Sequence, residues 1–111
     1  MKKTLMIDLD GVLNNYTKYE GNYIPEIKQG AVEFLEKLYK TDKYELVLFT
    51  TRDLKLTKQW LIRVKINKYF KEITNIKKPA YIYIDDRALK FNGDYNKTLK
   101  EIENFKVHWK K

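Results

Sequence analysis

Apolar residues in this chain fall into short dense runs separated by longer stretches with helical spacing. Thr4–Leu9 (TLMIDL), Tyr44–Phe49 (YELVLF) and Ala80–Ile84 (AYIYI) are near-continuous apolar segments closed by polar turns, the pattern of buried strands. Between them, GAVEFLEKLY (Gly30 to Tyr39) places Val32, Phe34, Leu35, Leu38 and Tyr39 at helical spacing. Asp53 is placed to cap a second helix whose apolar stripe takes in Leu56, Trp60, Leu61 and Val64, with Trp60 in the core. A weaker strand is predicted at Glu72–Asn75, a last helix at Tyr95–Phe105 and an edge strand at Lys106–Trp109. Asn14–Glu26, polar and aromatic with Gly21 and Pro25, reads as an excursion or small hairpin flap.

Strands alternating with helices predict an α/β fold: a three-layer Rossmann-like domain with a parallel sheet, helices on both faces and right-handed crossovers. No internal repeat or linker interrupts it, so residues 1–111 form one domain. Ligands bind such sheets at the carboxyl ends of the strands. The unusual polar residues all sit at such ends: Asp8 and Asp10, Thr50 and Thr51, Asp85 and Asp86. A period of two sends Asp8 and Asp10 to the same side of the strand. Like charges that close repel unless a cation or a shared proton lies between them.

Composition narrows the choices. At 111 residues and 13.5 kDa, with 43% apolar residues, the chain supports one core. It has no cysteine, which excludes disulfides and thiolate metal sites. No apolar run has the length of a membrane span, and the N-terminal MKKTLMIDLDG starts like a signal peptide but meets Asp8, so a soluble cytoplasmic protein is expected. The net charge of +8 leaves two accounts open. One is a surface for a polyanionic substrate. The other is genome composition: 20 of the basic residues are Lys and 3 are Arg, unlike phosphate-reading surfaces that favour the Arg fork.

Four carboxylates at one sheet edge call for a cation, and an all-oxygen site suits Mg²⁺. Beside Mg²⁺ a carboxylate can attack phosphorus, and a second one can serve as acid and base. Thr50 offers a hydroxyl and a strand-end N–H to phosphate oxygens, and a lysine before the acidic strand offsets charge on nucleophile and phosphate. An Asp-x-Asp-Gly string arises by chance in about 1% of chains this long, so its place after an apolar strand and its companions carry the weight.

Taken in order, Asp8-Leu9-Asp10-Gly11-Val12, Thr50 after LVLF, Lys77 or Lys78, and Asp85-Asp86 resemble the four motifs of the haloacid dehalogenase-like superfamily. The resemblance runs from residue 4 to about residue 105, and TNIKKPAYIYIDDRALKFNGDY is similar to small bacterial and phage members with a strand ending IDDRA. It implies an aspartyl-phosphate mechanism with Mg²⁺. By position, Asp8 matches the nucleophile and a metal ligand; Asp10 matches the acid/base, with its backbone carbonyl on the metal. Thr50 matches the phosphate holder, with Thr51 beside it, and Asp85 the metal-binding acid supported by Asp86. Lys77 aligns with the third motif, while Lys78 stands where a proline is common and is the alternative. Arg87 pairs with a neighbouring carboxylate or contacts phosphate, and His108 lacks a partner motif and is structural. In the resembling family the flap arches over the site, so Tyr16, Tyr19 and Tyr23 either stack on a planar substrate group or pack the flap down.

The stretches after the first motif and between the second and third are too short for a cap domain. An open site suits a bulky substrate, such as a nucleic-acid end or a phosphoprotein, or takes a partner subunit as lid. The expectation is a Mg²⁺-dependent phosphohydrolase acting on a small phosphorylated molecule or a nucleic-acid end, with no membrane role. The alternative is a non-catalytic nucleic-acid- or phosphate-binding module on the same fold, which would have little reason to keep four repelling carboxylates.

Overall fold

The apolar runs become a parallel sheet in the computed structural model, which describes residues 1–107. In chain order the elements are β1 (Lys3–Asp8), α1 (Ala31–Lys40), β2 (Tyr44–Phe49), α2 (Leu54–Arg63), β3 (Phe70–Thr74), β4 (Ile82–Ile84) and α3 (Tyr95–Glu103). The strands lie in the order β3-β2-β1-β4, all parallel, flanked by helices, and no cap domain is inserted among the described residues.

Register explains the dense apolar runs. β1 is central: Leu5 and Ile7 stand beside Leu46 and Leu48 on one side and beside Ile82 and Ile84 on the other. Leu5, Ile7, Leu46 and Leu48 pack against Leu35 of α1 and Trp60 and Leu61 of α2 in one buried cluster. Met6 and Val47 point the opposite way and are buried too, so both faces of these strands need apolar residues. Stepping from β1 to β2 to β3 in one direction with right-handed crossovers puts α1 and α2 on the same face. Asp53 caps α2 as expected, its Oδ1 accepting the Leu56 N–H at 3.0 Å.

Other expectations are adjusted. Phe34 and Tyr39 are exposed, because α1 buries only a narrow stripe, Ala31 and Leu35. β3 begins at Phe70, earlier than the apolar pattern suggested, and β4 is only three residues long. α3 stops at Glu103 with no buried residue, although Tyr95, Leu99 and Ile102 give it an apolar stripe. Lys106 and Val107 are not in a strand, and the rest of the expected edge strand, with His108, lies outside the described residues. No helix among the described residues is long and apolar enough to cross a membrane.

Two connections shape the sheet's carboxyl end. The stretch after β1 is a small hairpin-like excursion, closed by an antiparallel bridge between Asn14 and Ile27 and by the Asn15 N–H donating to the Glu26 carbonyl at 2.9 Å. Residues 75–81 carry the chain from β3 at one edge to β4 at the other without a helix. The strand order therefore reverses between β1 and β4, where open α/β sheets form a ligand crevice.

Candidate metal and phosphate site

Asp8 ends β1, and Asp85 follows Ile84, the residue beside Ile7 in the neighbouring strand. The ladder thus carries Asp85 alongside Asp8, and Asp86 comes next. One carboxylate oxygen from each of Asp8, Asp85 and Asp86 lies within 4.8 Å of the others. Asp8 and Asp86 are half-buried and Asp85 is exposed. Burial raises the Asp8 carboxyl to about 8, and the charges of Asp85, Asp86 and Asp10 push it the same way; a hydrogen bond from the Leu9 backbone pulls against them. A carboxyl so reluctant to ionise is relieved by a cation. Three oxygen donors with no nitrogen or sulfur fit Mg²⁺, which takes few carboxylates and keeps room for water and phosphate.

Gly11 makes the cluster possible. Its φ is +83°, and a Cβ there would stand 2.0 Å from Asp86 Oδ2. Gly11→Ala is expected to cost about 1–2 kcal/mol through the backbone alone and to push the Asp86 carboxylate out of place. Melting curves with and without Mg²⁺ test this: the variant should melt lower and gain less from the ion than the wild type.

Asp10 does not join the cluster. The strand ends at Asp8, so the period-two expectation lapses, and the turn aims the Asp10 carboxylate elsewhere. Arg52 Nε donates to both its oxygens, at 3.0 and 2.9 Å, and Asn14 Nδ2 donates to Oδ1 at 3.0 Å. The Arg52 side chain is only 11% exposed, and its Nη1 also donates to the carbonyls of Gly21 and Tyr23 in the excursion. Asn14 is buried, and its Oδ1 accepts from the Gly11 and Tyr16 N–H groups. Arg52 and Asn14, neither of them singled out by the sequence, therefore tie Asp10, the Gly11 turn and the excursion together. The one sequence cue was position: Arg52 comes two residues after Thr50.

The remaining candidates separate clearly. Thr50 is buried at the end of β2, but its N–H donates to the Thr74 carbonyl at 3.0 Å, so the expectation that this N–H serves phosphate is corrected. β3 runs as far as Thr74, beside Phe49, and the carbonyl of that last strand residue takes the donor. The Thr50 hydroxyl oxygen accepts the Arg52 N–H at 3.1 Å, and Thr51 is exposed. Lys77 lines a small cavity of about 140 Å³ with Asp8 and Asp85, its ammonium 4.6 Å from the centre of the Tyr83 ring. Lys78 instead forms an ion pair with Glu72. The Arg87 N–H donates to Asp85 Oδ1 at 2.8 Å, orienting that carboxylate. A second cavity of about 270 Å³ lies on the other side of Asp10, between the excursion and the start of α2. Tyr16 and Tyr19 line it, whereas Tyr23 borders a separate depression with Trp60 and Arg63.

Fold and carboxylate cluster together define an α/β protein with a candidate cation crevice at its strand ends. No family model matches the chain, and no curated protein does. Among solved structures it is similar to a conserved protein from Bacteroides thetaiotaomicron, at 21% identity and a TM-score of 0.61, covering 99% of this chain and 97% of that one. At that identity the likeness speaks to the fold.

Proposed function

We propose that the chain is a cap-less, Mg²⁺-dependent phosphohydrolase of the haloacid dehalogenase-like kind, working through an aspartyl-phosphate on Asp8. The meeting of Asp8, Asp85 and Asp86 at the point where strand order reverses supports this most. A divalent cation bound there would neutralise the carboxylates and the phosphoryl oxygens. An Asp8 carboxylate oxygen attacks phosphorus, the bond from phosphorus to the leaving oxygen breaks, and Asp10, which enters this step carrying a proton on the oxygen lone pair left open by its partners, gives that proton to the leaving oxygen. Asp10 then takes a proton from water, whose oxygen attacks the same phosphorus. The bond to Asp8 breaks, releasing inorganic phosphate and restoring both carboxyl groups.

The other side chains fall into place around these steps. Arg52 and Asn14 hold Asp10 in one orientation, and a carboxylate accepting their three contacts keeps a lone pair for the proton. Lys77 stands on the wall it shares with Asp8, where it offsets charge on nucleophile and phosphate. Lys78, committed to Glu72, is the weaker candidate. The test is release of inorganic phosphate from an aryl phosphate with Mg²⁺ and with excess chelator. Turnover with Mg²⁺ alone is expected. Phosphate binding without turnover in either condition would favour the binding module instead.

A further inference from the structure

A group that protonates a departing oxygen must touch it, so the leaving group of a phosphoester has to sit against Asp10. The cavity of about 270 Å³ does so: Asp10 is on its wall, the excursion forms one side and the start of α2 the other. At that volume, just under the range of about 300–1,000 Å³ usual for drug-sized ligands, its walls have room for one ring system. Ile24 and Leu56 supply apolar wall, and Tyr16 and Tyr19 supply aromatic wall. The Tyr16 ring is set by Arg52, whose guanidinium carbon lies 6.0 Å from the ring centre.

Charge is just as informative. Among the described residues that line the cavity, the one cationic side chain, Arg52, is already spent on Asp10, while Asp53 adds a further negative group. Such walls offer no unspent cation to an anionic leaving group. Resting on the phosphohydrolase proposed above, we infer that this cavity is the leaving-group subsite and selects a neutral group bearing one planar aromatic ring. A benzyl-type or nucleoside monophosphate belongs to that class. A phosphorylated oligonucleotide does not, and the +8 charge of the chain lies outside this subsite's selection.

The test compares kcat/KM for benzyl phosphate and cyclohexylmethyl phosphate, which share charge and leaving-alcohol chemistry but differ in flatness. Base-like stacking on an aromatic side chain is worth about tenfold or more, so a benzyl preference of that order is expected. The ratio should fall to about one in Tyr16→Leu/Tyr19→Leu, with melting temperature showing that the variant is folded. Calorimetry with the corresponding phosphonates in Mg²⁺ should give the same ratio as binding, without needing turnover. A wild-type ratio near one, a ratio unchanged in the variant, or a preference for a 3′-phosphorylated oligonucleotide over its mononucleotide would overturn the inference. If no ester is hydrolysed, the phosphohydrolase assignment falls and the phosphonate ratio alone decides whether the cavity selects flat rings.

Discussion

Asp8→Asn should lower hydrolysis of an aryl phosphate by several powers of ten and, at the same time, stabilise the metal-free protein near neutral pH. The first effect follows because an amide neither attacks phosphorus well nor balances a cation, and loss of a nucleophile costs several orders of magnitude where one is used. The second follows from the raised carboxyl. Unfolded, Asp8 ionises near 3.8; folded without metal, it holds its proton to about 8. Between those values the unfolded chain has released a proton that the folded one retains, so stability falls as pH rises. The Asp8 contribution is fully present below about pH 4 and lost by about pH 8. Asn is neutral throughout, so the variant lacks that slope, and its advantage widens across the same window. Phosphate release assays and melting temperatures in chelator from pH 4 to 9 measure both effects. Retention of more than roughly a tenth of wild-type rate would remove Asp8 as nucleophile, and parallel pH curves would remove the buried-carboxyl account.

Mg²⁺ should reverse the sign of that penalty. An ion that binds the folded cluster and not the unfolded chain stabilises by mass action, about 2.7 kcal/mol at a hundred times Kd. For a domain of this size each kcal/mol moves the midpoint by roughly 4–8 °C, so a shift of at least ten degrees is expected at saturation. Asp8→Asn and Asp85→Asn should each lose most of it. Ca²⁺ should also stabilise but support little turnover, because its larger and looser coordination shell sets the nucleophile less well. Thermal melts and phosphate release with each ion and with chelator decide the matter. Full turnover in excess chelator would take the cation out of the mechanism.

How far these features were legible in the sequence depends on the range of the interaction. Asp8, Asp85 and Asp86 were visible because a buried parallel strand announces itself as an apolar run, and its end is where such sheets place polar groups. The excursion was visible from its glycine, proline and aromatic content, and the cap on α2 from Asp53. The fate of Asp10 was not. Its main partner, Arg52, is 42 residues away, and no local pattern tells a turn which distant cation it will meet. The same holds for the Thr50 N–H, whose use depended on how far β3 extends beside β2. Lys77 and Lys78 look alike in sequence and part company only in the fold, where the connector between β3 and β4 places one beside Asp8 and the other against Glu72. In α3 the amphipathic spacing is real, yet Tyr95, Leu99 and Ile102 stay exposed; periodicity reports a face, not what covers it.

The brevity of β4 has a bearing on the order in which the molecule assembles. β1 and β2 are joined by a single crossover through α1, whereas β4 must find β1 across all of α1, β2, α2 and β3. Such distant pairings carry the larger loop-closure cost and form late. Once formed, β4 is an edge strand of three residues with Ile82 and Tyr83 nearly half exposed, so it is drawn from the low end of the local opening energies within the fold. Asp85 and Asp86 travel with it. A nascent or partly opened chain therefore keeps Asp8 on a nearly complete sheet but has no partners for it. Under the proposal above, a cation captured there would act as a clasp on the final step of folding, tying a marginal edge strand to the centre of the sheet.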